Sequence, residues 1–267
     1  MEANVYKIDG TLAHKVSLPE LFGTQYNKDI VLRALLAEQS RKYQQQGRDT
    51  LAGMRTSATY VGRYNAYRTL RHMGVAIRPR QKLAKGAMGE VRRIPSARKG
   101  RRAHPSKVGK IIEERINSKE YYKALLMAIA ATANKEEIAK GHVFTGSLPI
   151  VVEEGIERIA KTKELYSILK KIGIGSDLEK SHKPRLRKGL RRLSKLRHFR
   201  NSAVIIAKDA NKLERAGRNI PGIDVVQIDR LSISKLAPGG IPRLAIWTEP
   251  ALNSVGEALA KAEGIKR

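Results

Sequence analysis

Apolar residues recur along most of this chain at helical or strand spacing, and one long internal stretch follows neither period. Residues 4–8 and 12–18, joined at Asp9-Gly10, read as a hairpin. In residues 27–38, Ile30, Val31, Ala34 and Leu35 share one helical face. Asn117 with Glu120 three residues on predicts a capping box. It would open a helix in which Tyr121, Leu125 and Ile129 stack, flanked by Tyr122 and Leu126. Residues 148–152 predict a buried strand. Thr162 is placed as the cap of a helix carrying Leu165, Ile168, Leu169 and Ile172, with Gly173 as its stop.

Beyond residue 200 the pattern alternates. Strands are expected at 203–207, 225–228 and 244–247, with helices at 209–216, 232–236 and 250–261. Alternation implies right-handed crossovers and a sheet covered on both faces. The expected fold is α/β: a three-layer α/β/α domain with an open, mainly parallel sheet of about four strands. A single domain, 1–267, is built from both ends of the chain, with an extended basic arm, 40–110, inserted in it. No internal repeat is visible.

Charge changes the picture more than composition does. The 267 residues hold 53 Lys or Arg against 25 Asp or Glu, a formal charge of +28. A compact domain with that excess repels itself, so a polyanionic partner is implied and a homo-oligomer is not expected. Between residues 39 and 110 there are 19 Lys or Arg and two acids, Asp49 and Glu90, among many glycines. A second basic segment, 183–200, has nine Lys or Arg and no acid. The longest apolar run, 124–133, is half of the roughly 20 residues of a membrane span. No membrane partner is therefore expected. The start of the chain shows no secretory signal, and cysteine is absent, which removes thiolate metal sites, disulfides and cysteine nucleophiles. The chain reads as cytosolic.

A structureless insertion of this length is ordinarily functional or disordered. Alone, the arm has little apolar surface to offset its ordering entropy. Against folded RNA, each cation would release counterions from phosphate. The arm candidates are Arg55, Arg63, Arg68, Arg71, Arg78, Arg80, Lys82 and Lys85, then Arg92, Arg93, Arg98, Lys99, Arg101, Arg102, His104 and Lys107. Arginine dominates, and a guanidinium both forks onto phosphate and stacks on a base. Tyr60, Tyr64 and Tyr67 are interleaved as stacking candidates, or pack on one another in a short helix. The second segment adds Lys183, Arg185, Arg187, Lys188, Arg191, Arg192, Arg197 and Arg200, which read as RNA contacts or as a solvated helix face.

The arm opens with Arg55-Thr56-Ser57-Ala58 and closes with Arg92-Arg93-Ile94-Pro95 and Lys99-Gly100-Arg101-Arg102-Ala103-His104-Pro105. The apolar helix 125–132 follows, then Leu236-Ala237-Pro238-Gly239-Gly240 and Leu244-Ala245-Ile246-Trp247-Thr248-Glu249. With the Asn4-Val5-Tyr6 start, this order resembles the archaeal and eukaryotic branch of universal large-subunit ribosomal protein four, from residue 4 to about 258. The resemblance implies an α/β domain with a four-stranded parallel sheet on the solvent side of the large subunit. It also implies an arm threaded through large-subunit ribosomal RNA, a tip lining the nascent-peptide exit tunnel, early RNA binding in assembly, and neighbouring large-subunit ribosomal proteins as partners. Between Tyr60 and Glu90 this chain departs from the family pattern, so the resemblance names no tip residues.

Enzymatic readings have thinner support. Glu153, Asp209, Asp229 and Glu249 each follow an expected strand, where four carboxylates would hold Mg²⁺ or simply favour the starts of helices. The segment 141–147 has phosphate-loop glycine spacing but no lysine after the second glycine. The six histidines make no helical metal pair. No cofactor and no metal are expected, and the alternative function is an RNA-modifying enzyme with a basic substrate arm.

Overall fold

The computed structural model describes residues 2–144, 146–186 and 197–264. Strands β1 (Glu2–Tyr6) and β2 (Leu12–Ser17) precede helix α1 (Lys28–Ser40). Strands β3 (Arg80–Lys82) and β4 (Met88–Val91) lie in the basic insertion. There follow α2 (Ser118–Ala131), α3 (Lys135–Ala139), β5 (Ile150–Val152), α4 (Thr162–Lys171) and α5 (Gly175–His182). Short strands β6 (Arg185–Leu186) and β7 (Arg197–His198) pair antiparallel. The chain ends with β8 (Val204–Ala207), α6 (Asn211–Gly217), β9 (Asp224–Gln227), α7 (Ile233–Leu236), β10 (Ala245–Thr248) and α8 (Glu249–Gly264).

The main sheet has the order β2-β1-β5-β10-β8-β9. Every pairing in it is parallel except β1 with β2. The α/β class with a mainly parallel sheet is as the sequence predicts. The strand number is not: six replaces about four, because the opening hairpin joins the sheet, with Val5 opposite Val151. A hairpin pattern fixes its own turn but not the edge it docks on.

Period-2 alternation splits the strands between two cores. Val151, Val204, Ile206, Ala245 and Trp247 face the layer of α1, α2, α7 and α8. Ile150, Val152, Ile205, Ala207 and Ile246 face α4, α5 and α6. Trp247 is fully buried, with Phe22 edge-on at 5.7 Å and its indole N–H donating to Thr132. The expected faces of α1 and α4 are buried as predicted, at Val31, Ala34 and Leu35 and at Leu165, Ile168 and Leu169. Gly173 stops α4 at φ +100°, a conformation that suits glycine.

Two capping expectations fail. Asn117 is the N-cap of α2, but its side chain makes no cap bond. Glu120 pairs instead with Arg33 of α1 at 2.9 Å, so a tertiary cation draws the carboxylate away from the local box. Thr162 is the first helical residue of α4, with Lys161 as N-cap. Helices α3 and α5 were not expected. In α5 the inward positions are Asp177, Leu178 and Ser181, so its buried face is largely polar and leaves no apolar stripe to read.

Residues 43–112 form one compact unit, and 1–42 with 113–267 form the other. In the larger unit the two chain ends flanking the insertion are clasped. The Glu114 N–H donates to Ser40 Oγ at 2.9 Å, and Arg41 pairs with Glu113 at 3.2 Å.

A candidate nucleic-acid interface

The 43–112 unit, expected as an extended segment without a core of its own, carries two short strands and a series of turns. Arg80 and Lys82 of β3 stand opposite Val91 and Met88 of β4. Thr59 adds a bridge to Arg80, with N–H···O distances of 3.2 and 3.4 Å. The rest is turns closed by local backbone bonds, which carry no hydrophobic period. Only two apolar residues here are buried among those described, Ala58 and Leu70, so hydrogen bonds and close backbone approaches hold the unit. A Cβ at Gly100 would stand 1.9 Å from the Ile94 carbonyl oxygen, which makes glycine obligatory in that turn.

Three predicted RNA contacts are turned inward. Arg92 is 14% exposed and donates to the Arg98 carbonyl at 2.7 Å and to Glu90 at 2.5 Å. Arg93, at φ +71°, donates to the Ala58 carbonyl at 3.2 Å. Arg80 is half-buried in β3. The Arg92 and Arg93 side chains brace the unit, and all three residues leave less of each guanidinium for a ligand. The other predicted arm cations are exposed: Arg55, Arg63, Arg68, Arg71, Arg78, Lys82, Lys85, Arg98, Lys99, Arg101, Arg102 and Lys107, with His104. Of these, Arg55 pairs with Asp49 at 2.7 Å.

One cluster is concave. Arg102, His104 and Lys107 share a cleft of about 790 Å³ with Arg48 and Lys110. The Arg48 N–H donates to the Ser106 carbonyl at 2.9 Å, which brings both legs of the insertion to one place. Arg48 and Lys110 escaped the sequence reading because they lie outside the dense motifs. Four cations and a histidine around an open cleft, with no acid in its lining, suit a polyanion.

The tyrosines do not pack on one another. Arg68 lies over Tyr67 at 5.2 Å, and Arg71 over Tyr64 at 5.7 Å. His72 meets Tyr64 edge-on at 6.0 Å. Tyr60, Tyr64 and Tyr67 are 40%, 65% and 84% exposed, so burial does not account for them.

In the second basic segment Lys183 is exposed and Arg200 half-buried. Arg185 and Arg197 are placed by backbone only, in β6 and β7. Arg187, Lys188, Arg191 and Arg192 lie outside the described residues.

The carboxyl ends of the parallel strands are where an α/β enzyme would hold its ligand. One such position is at the ends of neighbouring β8 and β10, whose following helices, α6 and α8, lie on opposite faces of the sheet. Glu157 fills it. Its carboxylate accepts the Lys208 N–H at 3.0 Å, the Asp209 N–H at 3.2 Å and the Thr248 hydroxyl at 2.6 Å. The backbone donors that would cradle a phosphate are already taken by an internal anion. Beside it, Glu154, Glu249 and Glu257 line an open cleft of about 520 Å³ with Lys208, an unfavourable place for phosphate. Asp209 accepts the Asn211 N–H at 3.1 Å, and Glu249 opens α8, so both act at helix starts.

His142, from the glycine-spaced 141–147 segment, bonds Asp177 at 3.0 Å, and the Val143 N–H donates to the other oxygen at 3.3 Å. Ser202 also donates to Asp177, at 2.6 Å. Burial pushes the Asp177 carboxyl up, but these bonds outweigh it and hold it below its usual value. This segment is thus tied to α5 rather than shaped around an anion. Among the described residues no group of His, Asp and Glu is arranged to hold a metal ion.

The family description "Ribosomal protein L4/L1 family" matches residues 16–258. The chain belongs to the ribosomal protein L4/L1 family. Among its relatives, each named large ribosomal subunit protein uL4, that of Methanocaldococcus jannaschii is 39% identical over 96% of this chain and 99% of its own length. That of Methanospirillum hungatei is 38% identical over the same shares. That of Archaeoglobus fulgidus is 36% identical over 97% of this chain and 100% of its own length. The family and its archaeal side are as the resemblance implied. Membership covers both units, since the matched span includes the whole basic insertion.

Proposed function

We propose that this chain is a structural constituent of the large ribosomal subunit, held there by electrostatic and shape-based contacts with large-subunit ribosomal RNA. The observation that carries the reading is likeness, over nearly its whole length, to proteins named for that subunit. The exposed cations of 43–112 and the Arg48–Lys110 cleft supply the chemistry. The segment 183–200 is a second RNA contact by its charge. Neighbouring large-subunit proteins are its other partners, its place in the cell is the cytoplasm with that subunit, and its charge of +28 disfavours a homo-oligomer.

The 40–110 arm within a single α/β domain is the element that supports assembly and reaches the exit tunnel. Glu157, bonded to Lys208, Asp209 and Thr248 at the strand ends, disfavours an RNA-modifying enzyme. A salt series of binding to large-subunit ribosomal RNA tests the reading. Log affinity should fall steeply and linearly with log salt, by roughly 0.7–0.9 per phosphate neutralised. A flat slope would remove the electrostatic mechanism.

A further inference from the structure

Residues 61–72 are built to present aromatic rings outward. Leu70 is the buried residue, and its N–H donates to the Val61 carbonyl at 2.9 Å. The Thr69 N–H donates to the Ala66 carbonyl at 3.1 Å, and the Arg71 N–H to Thr69 Oγ1 at 3.3 Å. Arg68 and His72 sit at φ +57° and +59°, a region non-glycine residues avoid, and such outliers concentrate at functional sites. The loop thus buries one leucine and leaves out two larger rings, each with a guanidinium over it.

On the basis of the RNA-binding reading above, we infer that Tyr64 and Tyr67, backed by Arg71 and Arg68, form a stacking platform for unpaired RNA bases. This part of the arm is then specific for a loop, bulge or single strand rather than a duplex. Bases inside an A-form helix have their faces covered by neighbours, whereas unpaired bases offer a free face to an aromatic ring. An arginine over the ring adds cation–π attraction and carries charge to the adjoining phosphate. The Lys and Arg elsewhere in the arm touch phosphate and do not distinguish the two forms of RNA.

The test uses the full chain with two probes at one salt concentration: an oligoadenylate and an RNA duplex of equal phosphate number. Base–aromatic stacking translates to roughly 5- to 140-fold in affinity per ring. Tyr64→Ala with Tyr67→Ala should weaken oligoadenylate binding by at least that factor for one ring and change duplex binding by less than about twofold. Tyr64→Phe with Tyr67→Phe keeps the rings and should bind oligoadenylate like the parent. Equal losses on both probes, or no loss on either, would overturn the platform while leaving RNA binding intact. Failure of the parent chain to bind either probe would instead overturn the underlying RNA reading.

Discussion

Replacing Arg243 with Ala should destabilise the α/β unit more than any surface substitution. The residue is 1% exposed and lies just before β10, with its side chain at the starts of β8 and β9. Its Nε donates to the Ser202 carbonyl, and its two terminal nitrogens reach Asp224 and the carbonyls of Ala203, at 3.0 Å, and Gly222. One side chain therefore satisfies the backbone at the starts of β8 and β9 together. Truncation leaves three carbonyls and one carboxylate oxygen without that donor, plus the volume of the side chain. Removing one partner of a buried pair costs about 3–5 kcal/mol. Asp224 keeps its bond to Lys235 at 2.7 Å, which favours the lower half of that range. In a unit of this size each kcal/mol moves the midpoint by roughly 2–4 °C, so a fall of about 6–16 °C is expected. Thermal unfolding of the full chain, followed by tryptophan fluorescence from buried Trp247, reads it directly. Arg243→Lys should recover part of the loss, since an ammonium keeps the charge but not the fork. A shift under about 2 °C for Arg243→Ala would refute the reasoning.

Other outcomes follow from the same geometry. Glu38→Ala should cost about 1–2 kcal/mol in chemical denaturation, because Glu38 accepts the Ile233 and Ser234 N–H groups at the start of α7, at 3.0 and 2.9 Å, and the Tyr121 hydroxyl. Burial raises the Asp224 carboxyl, but Lys235 and Arg243 outweigh that and hold it, like Asp177, below the ordinary value of 3.8. Carboxyls lowered by folding stabilise the protein above that value, and the gain disappears as pH falls through their folded pKa. Asp177→Asn and Asp224→Asn should therefore lower stability at neutral pH and flatten the acid limb, which urea titrations from pH 7 to 3 will show. Arg101→Ala with Arg102→Ala should weaken incorporation into the large subunit while leaving the melting temperature within about 1 °C, since both side chains are exposed. Equal losses in both would contradict an RNA-contact role.

How legible the molecule was depended on whether an element's stability is local or borrowed. Helix α4 was readable because Leu165, Ile168, Leu169 and Ile172 repeat at helical spacing and Gly173 ends it. The strands β8 and β10 were readable as apolar runs for the same reason. Helix α5 was not, because two of its three inward residues are Asp177 and Ser181, satisfied by His142, Ser202 and the Pro221 carbonyl far away in sequence. The reciprocal box at Asn117 and Glu120 failed through one tertiary arginine, Arg33. Glu157, which fills the position at the ends of β8 and β10, is one glutamate among several in an acidic stretch and becomes informative only when Lys208, Asp209 and Thr248 surround it.

The basic insertion shows both sides of this. Its charge was plain in the sequence. Its internal architecture was not, because turns, a three-residue strand and left-handed residues such as Arg68 and Arg93 have no hydrophobic period. The roles of its arginines also divided in a way no composition reveals: Arg92 and Arg93 bond the unit's own carbonyls, while Arg101 and Arg102 stay exposed.

The most direct test of the central claim is sedimentation of the chain in cell lysate through stepped salt. Co-migration with the large ribosomal subunit that persists through about 0.5 M salt is the expected result, because loose electrostatic binding fades steeply over that range. Release at low salt as a free monomer would contradict an integral place in the subunit.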